Sequence, residues 1–372
     1  MTSKKICHLT VLHFRYDLRI VTRECLSLVQ KGYDVHYILN DGRGQEAFEG
    51  LHIHDLNAPT TALKRFTKTH YNCLRKALSL QANVYHFHDP ELMIVGLILK
   101  ILGKKVIADI HEDIPNQIKG SIKKNKFNRH LFSSIISRLE KWILPFLDAV
   151  ITSSPFVENK LRPFSKKIVN IACFPDLRTE FSGLPNKGNE KYDLVYTGSI
   201  SPLRGIIETL DVIEKTDINF ALAGDFQGKN LEKQLKEKPA WRKNTTYLGY
   251  IENRLDYVNL LYNSKIGLTT LQYNPSFEAT YCIKMFEYMA AGIPQISTNF
   301  DYWKKWFTHL DCIIFVDPTN EKQVKSAITY LLSDPENAQR MGKNGREAVE
   351  NLLNWQSQEK KLFKLYKEIL EQ

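Results

Sequence analysis

The sequence predicts an α/β protein built from two doubly wound, Rossmann-like domains that face each other across a cleft. Three observations predict it. In the N-terminal half, apolar runs at Ile6–Leu12, Val35–Leu39, Val84–His88, Val106–Ile110 and Ala149–Thr152 alternate with helical patterns that open near Arg19, Leu63, Glu91 and Asn128. Such alternation implies a parallel sheet with helices on both faces. The pattern then breaks over 175–189, a stretch holding Pro175, Ser182, Gly183, Pro185 and Gly188, which reads as a linker. A second alternation follows at Leu194–Thr197, Phe220–Ala223, Thr246–Ile251, Ile266–Leu271, Gln295–Thr298 and Ile313–Val316, before a helical tail of about 50 residues. The expected domains are therefore 1–175 and 190–355, with 356–372 as a terminal helix. Ligand is expected at the carboxyl ends of the strands.

A chain of 372 residues is long enough for two such cores. Its six cysteines (Cys7, Cys25, Cys73, Cys173, Cys282, Cys312) include no CxxC pair, which fits reduced thiols in a cytoplasm and neither a disulfide framework nor a zinc site. MTSKK leads directly into a strand-like run, so no secretory leader is expected. The longest apolar stretch, Leu92 to Leu102, is too short to span a bilayer. Charge is unevenly placed: residues 1–185 hold 27 Lys and Arg against 17 Asp and Glu, and the remainder 24 against 24. Much of the excess lies in KGSIKKNKFNRH and the amphipathic run after it, Lys119 to Lys141. Basic residues beside an apolar face suit an anionic membrane surface; they equally suit a core helix with a solvated basic side. No recognition motif accompanies them, so nucleic acid is not an expected partner.

The stretch Glu278 to Pro294 carries the sharpest chemistry. It follows a buried-strand pattern, and Gly292 with Pro294 stop a short helix over Lys284 to Ala291. A helix entrance exposes unpaired N–H groups and attracts anions. Lys284 in the first turn, where an acid would be favoured, suggests that an anion occupies the entrance. Glu287, one turn on, has a carboxylate able to accept from two neighbouring hydroxyls, as a ribose presents them. An ordinary helix with solvated Lys and Glu shows the same pattern.

Other strand ends add to this. TGSISPLRG brings Gly198, which permits close backbone approach, and Arg204, a fixed cation. LGYIEN offers the backbone of Tyr250 and Ile251 to a flat base edge. In the first half, VYHFHDPELM places His86, His88, Asp89 and Glu91 at a strand end, and DIHEDIP does so with Asp109, His111, Glu112 and Asp113. No HxxxH or HExxH spacing supports a metal site, so hydrogen bonding is the preferred reading. HFRYDLRI lacks the GxGxxG of dinucleotide binders; Asp17 is a candidate helix cap, and Arg19 reads either as a solvated first-turn residue or as a phosphate or acceptor ligand.

HFRYDLRI, KGYDVHYI, HFHDPELM, DIHED, YTGSISPLRGI, KMFEYMAAGIP and the terminal DPENAQRMGKNGREAVENLLNWQSQEKKLFKLY together resemble, in order, a family 4 glycosyltransferase of GT-B fold, from a bacterial branch that builds surface polysaccharides. The resemblance covers nearly the whole chain. It implies a retaining, metal-independent enzyme without cofactor, moving a sugar from a nucleotide-diphosphate donor to a lipid-linked or saccharide acceptor at the cytoplasmic side of a membrane. It implies that Glu287 holds the ribose and that the backbone of Tyr281, Cys282 and Ile283 meets the diphosphate or sugar. It further implies that Arg204 neutralises the leaving diphosphate beside Gly198, Ser199 and Gly205, that His111 contacts the donor sugar, and that the helix after Trp355 returns to the first domain. His13, Asp17, Arg19, His88 and Asp89 then fall on the acceptor side. Two departures stand out. The family pair of glutamates would put the first at Ala279, but the carboxylate is at Glu278; and Ser199 stands where an Arg often follows the glycine. Lys284 is the candidate to replace that missing cation. A nucleotide-sugar epimerase or a non-catalytic nucleotide-sugar-binding subunit are the alternatives left open.

Overall fold

The computed structural model describes residues 3–120, 126–183, 190–274, 277 and 280–371. The chain forms two compact units, Met1–Cys173 with Ser357–Gln372, and Phe174–Gln356.

In the first unit eight strands form one sheet in the order β3-β4-β2-β1-β5-β6-β7-β8. They are β1 (Lys5–Leu9), β2 (Asp34–Leu39), β3 (Glu46–Phe48), β4 (Leu51–Asp55), β5 (Val84–Phe87), β6 (Lys105–Ile110), β7 (Ala149–Thr152) and β8 (Ile168–Asn170). All neighbours are parallel except β3 against β4. Leu9, Ile38, Phe87, Leu99, Val106 and Val150 lie at the heart of a core packed between sheet and helices. The apolar runs mark the central strands because both faces are covered there. β3, β4 and β8 carry no such run: β4, LHIHD, alternates buried and exposed side chains, and β3 and β8 have three residues each.

In the second unit the order is β11-β10-β9-β12-β13-β14, all parallel, from β9 (Tyr192–Thr197), β10 (Phe220–Ala223), β11 (Thr245–Gly249), β12 (Ser264–Thr269), β13 (Gln295–Thr298) and β14 (Ile313–Val316). Both sheets reverse their winding once, between β1 and β5 and between β9 and β12. Such a reversal opens a crevice at the carboxyl ends of the two flanking strands.

Four helices matter below: α1 (Ile114–Gly120), α2 (Lys126–Ile143), α3 (Ile283–Ala290) and α4 (Trp355–Glu371). α4 buries Leu362, Leu365, Tyr366 and Ile369, and Ile369 accepts from Lys105 Nζ at 2.6 Å. The stretch read as a linker is otherwise built at its start. Asp176, Glu180 and Phe181 are buried within the second unit, Trp355 N donates to the Pro175 carbonyl at 2.8 Å, and Arg346 donates to the Phe181 carbonyl. Residues 184–189 lie outside the described residues.

Candidate active site

In the first unit the winding reversal falls between β1 and β5, and the motif residues gather at that edge. Asp17 caps the π-helical segment Leu18–Cys25, accepting from the N–H groups of Arg19 and Ile20 at 2.9 Å each. The cap turns Arg19 inward. The solvated reading of Arg19 is thereby corrected: it is buried and grips Asp109 with a two-pronged fork, Nε to Oδ2 and NH2 to Oδ1 at 2.8 Å, while NH1 donates to the Ile171 carbonyl. Burial opposes ionisation of Asp109, yet Arg19, followed by His111 and His88, holds its carboxyl well below the usual range. Nearby Glu24 is pushed the other way, by burial and then by the Asp109 charge, against the pull of Arg19.

Asp109 ends a directional hydrogen-bond chain. A carboxylate only accepts, so His88 Nδ1–H donates to Asp109 Oδ2 at 3.0 Å. Burial lowers the pKa of His88 despite Asp109, so its imidazole is neutral and Nε2 must accept from His8 Nδ1–H at 2.9 Å. His8 is likewise kept neutral by burial and then by His88; its Nε2 accepts from Tyr366 O–H at 3.2 Å. The Tyr366 oxygen then accepts from His86 Nδ1–H at 2.8 Å. His8 and His86 stand opposite each other in the β1–β5 register, and Tyr366 arrives from α4. The register makes this chain, and of its members only His86, His88 and Asp109 stand out in the sequence.

At the open end, His111 Nδ1 stands 3.5 Å from Asp109 Oδ2, and its ring meets His13 edge-on at 5.1 Å. His13 lies between Asp17 and Asp89, at 3.3 Å from each. Burial works against its charged form, but Asp17, Asp89 and Asp109 raise its pKa. Asp89 is fixed by Thr10 Oγ1 at 2.8 Å and by the Val11 N–H. The structure thus unites His13, Asp17, Arg19, His88, Asp89 and His111. Three other motif carboxylates are turned elsewhere: Glu91 binds Arg65, Asp113 binds Lys160 at 2.6 Å, and Glu112 is exposed.

Among the described residues, His8, Glu24, His86 and His88, and again His88, Asp109 and His111, bring ligand-type atoms close together. In these groups both nitrogens of His8 and of His88, His86 Nδ1 and the Asp109 carboxylate are already hydrogen-bonded to one another, to Tyr366 or to Arg19, whereas Glu24, His86 Nε2 and His111 Nδ1 have no hydrogen-bond partner among the described residues. A cation at Asp109 would have to displace the guanidinium fork.

In the second unit the reversal lies between β9 and β12. Gly198 leaves β9 with φ +118°, and a Cβ there would lie 3.3 Å from Lys284 Nζ. Gly205, at φ +72°, packs so closely that a Cβ would sit 2.0 Å from the Thr270 carbonyl at the end of β12. That contact holds the turn carrying Arg204 against the strand ends. The Arg204 guanidinium lies over the Phe277 ring at 4.8 Å and has no ion pair among the described residues. Lys284 opens α3, is buried, and points its ammonium at the Tyr196 ring, 3.6 Å from its centre. Among the described residues, no hydrogen-bond partner meets Lys284 Nζ. Burial, with Arg204 adding to it and Cys282 and Glu287 opposing, lowers its pKa to about 7.

Glu287, also on α3, is buried and held by Arg254 NH2 on one oxygen and Tyr257 O–H on the other. Arg254 is shared with Glu180 at 3.0 Å, and Tyr257 touches Thr197 Oγ1 at 3.0 Å. The pattern showed Glu287 but not these partners, which come from chain positions 30 to 107 residues away. Tyr281, Cys282 and Ile283 form the entrance of α3; Cys282 caps it without a side-chain bond, and Tyr281 is set among Phe286, Tyr302, Trp306 and Phe307. Ser199 accepts from Tyr196 O–H through its carbonyl at 2.9 Å. Tyr250 and Ile251 fall just beyond β11, Tyr250 exposed. Glu278 lies outside the described residues, as does Ala279.

Two doubly wound units each bring charged side chains to a winding reversal, the place where open α/β sheets bind ligands. Comparison with known proteins identifies the class of protein. Residues 178–348 match the glycosyl transferases group 1 family and residues 19–177 match glycosyltransferase family 4, so the two matches adjoin and together span 19–348. An uncharacterized glycosyltransferase of Methanocaldococcus jannaschii is 22% identical over 368 residues, 94% of each chain. Among solved structures, sucrose-phosphate synthase of Thermosynechococcus elongatus is similar at a TM-score of 0.78 with 18% identity, covering 99% of both chains. HepE of Anabaena, in complex with UDP and glucose, is similar at 0.73 with 12% identity, covering 98% of this chain and 100% of that one. The chain belongs to the family 4 glycosyltransferases of GT-B fold.

Proposed function

We propose that this glycosyltransferase is a retaining, metal-independent enzyme that moves a sugar from a nucleotide-diphosphate sugar to a lipid-linked or polysaccharide acceptor, in the making of surface polysaccharide. The carrying observation is the pair of cations at the β9–β12 edge, Arg204 and Lys284, of which Lys284 is buried with no hydrogen-bond partner among the described residues. A diphosphate supplies the missing counter-charge, aided by the N–H groups opening α3. As the sugar–phosphate bond breaks, charge grows on the leaving diphosphate, and these fixed cations stabilise it without a metal. Glu287 spends one lone pair per oxygen on Arg254 and Tyr257 and keeps others for ribose hydroxyls. His111, backed by Asp109, contacts the sugar near the reacting carbon, and His13, Asp17, Arg19, His88 and Asp89 form or support the acceptor side.

Of the three carboxylates near His111, Asp109 and Asp113 are tied up in ion pairs and Glu112 is exposed, which speaks against an epimerase, since that chemistry needs free acids and bases around one carbon. Cytoplasmic placement at an anionic membrane surface rests on the basic Lys119–Lys141 region. Lys123 and Lys124 lie outside the described residues, while Leu131, Phe132, Ile135, Trp142 and Phe146 are exposed, and among the described residues no helix is long and apolar enough to cross a membrane. Incubation with labelled UDP-sugars first, because HepE is similar and holds UDP, then other nucleotide sugars, with and without membrane lipid extract and with EDTA, tests the reading. Transfer that requires lipid extract and survives EDTA is expected. Epimerised donor without acceptor, or transfer abolished by EDTA, would overturn it.

A further inference from the structure

A cavity of about 310 Å³ opens between α1 and α2 in the first unit, with Lys160 at its side. No carboxylate is among its lining residues, whereas Lys119, Arg138, Lys141 and Lys160 all are, together with the hydroxyls of Ser133 and Ser137. Lys160 is held there by buried Asp113 at 2.6 Å. Ser133 is only 1% exposed, yet among the described residues its hydroxyl has no hydrogen-bond partner, although it faces a cavity full of donors. Arg138 likewise has none. Glu140, buried on the inner side of α2, is pushed up to about 7 by burial ahead of the pull of Lys160. Near neutral pH it therefore offsets only part of this positive charge.

Helical geometry explains why these groups share a wall. At about 100° per residue, Ser133, Ser137 and Lys141 form one stripe of α2. Arg138 borders it, and beyond Arg138 run Leu131, Ile135 and Trp142, all exposed. Donors for an oxyanion and an uncovered apolar track are thus side by side on one helix. A neutral saccharide could share hydrogen bonds with the serines and Asn116, but it would leave the cations uncompensated and the apolar track uncovered. A phosphate or diphosphate uses the donors, since its oxygens only accept and its charge matches the cations.

We propose that this cavity holds the phosphate or diphosphate of the acceptor, and that the acceptor is therefore a phosphate-linked lipid whose chain lies along Leu131, Ile135 and Trp142. The proposal rests on the glycosyltransferase reading above and narrows its acceptor.

The first test is amide NMR of the full chain, labelled at serine, titrated with inorganic pyrophosphate. The Ser133 and Ser137 signals should move and saturate below about 1 mM. In Arg138→Glu/Lys141→Glu, whose altered side chains are exposed, that midpoint should rise at least about tenfold, while signals of Ser199 and Ser201 beside Arg204 respond as in the wild type. Static Ser133 signals, or an unchanged midpoint in the double variant, overturn the proposal. The second test separates lipid phosphate from general surface charge: phosphatidylcholine vesicles carrying undecaprenyl diphosphate are compared with phosphatidylglycerol vesicles of equal charge. Preference for the diphosphate lipid, lost in the double variant, supports the site; equal binding to both vesicles overturns it. The two readings fail separately. If pyrophosphate moves Ser133 but no lipid acceptor receives sugar, the cavity stands and the transfer reading falls. If the double variant glycosylates lipid phosphate undiminished, the cavity assignment falls and the transfer reading stands.

Discussion

The two winding reversals are built on opposite electrostatic plans. In the first unit the Asp109 charge has fixed counterparts: Arg19 forks onto the carboxylate, His88 donates to it, and a neutral chain through His8, Tyr366 and His86 backs it. Around Gly198, Arg204 meets only an aromatic ring among the described residues, and Lys284 is buried over another. A completed network stabilises the fold and holds a side chain such as His111 in one orientation. An uncompleted one costs stability until a ligand arrives, and so converts ligand binding into a large change in local energy.

The comparison breaks most sharply at Arg19. Arg19→Leu leaves Asp109 buried with its main counter-charge gone, and should destabilise the protein by about 3–5 kcal/mol in urea unfolding at pH 7. Because the Asp109 pKa is depressed in the fold, its contribution is present above the ordinary value of 3.8 and is lost as pH falls through the lower folded value. Arg204→Gln should leave the urea midpoint in place. Equal destabilisation by both substitutions would erase the contrast.

A smaller effect is expected at Glu287. Glu287→Ala should weaken donor binding by about 1.5–3 kcal/mol, measured on variant shown to be folded, because ribose hydroxyls lose a charged acceptor. An affinity within about twofold of wild type would remove Glu287 from the ribose. Tyr366→Phe should cost about 1–3 kcal/mol, since His8 Nε2 and His86 Nδ1 both lose a buried partner. Nitrogen NMR of labelled histidine would then report a mixture of His8 tautomers. A single unchanged tautomer would mean that the chain is not directional. Smaller still in binding, but larger in turnover, should be Arg204→Gln: the charge it meets grows in the transition state, so kcat should fall more than donor affinity. Pure loss of affinity would contradict that role.

What the sequence reveals follows from where physics is local. Central strands announce themselves by apolar runs, and Asp17 announces a cap. β3, β4 and β8 do not, being short or covered on one side. HFHDP and DIHED mark the first site because polar groups crowd a strand end, but His8 is hidden inside the apolar run KICHL, and Glu24 and Tyr366 sit in ordinary helical patterns. Their meeting depends on a register between segments up to 358 residues apart. For Lys284 the pattern yields the helix entrance; burial against Tyr196, which decides its charge, depends on packing between β9 and α3.

Lys284 offers the most direct test. With its pKa lowered to about 7, it is mostly neutral at pH 8 in the free protein. A bound diphosphate raises that pKa, so binding takes up a proton, and donor affinity should be flat below pH 7 and fall as pH rises above it. Calorimetric titration of the full chain with UDP at pH 8, in two buffers of different ionisation enthalpy, measures the uptake. The account expects about one proton bound per UDP, absent in Lys284→Met. Heat independent of buffer in the wild-type protein, with UDP bound, would contradict it.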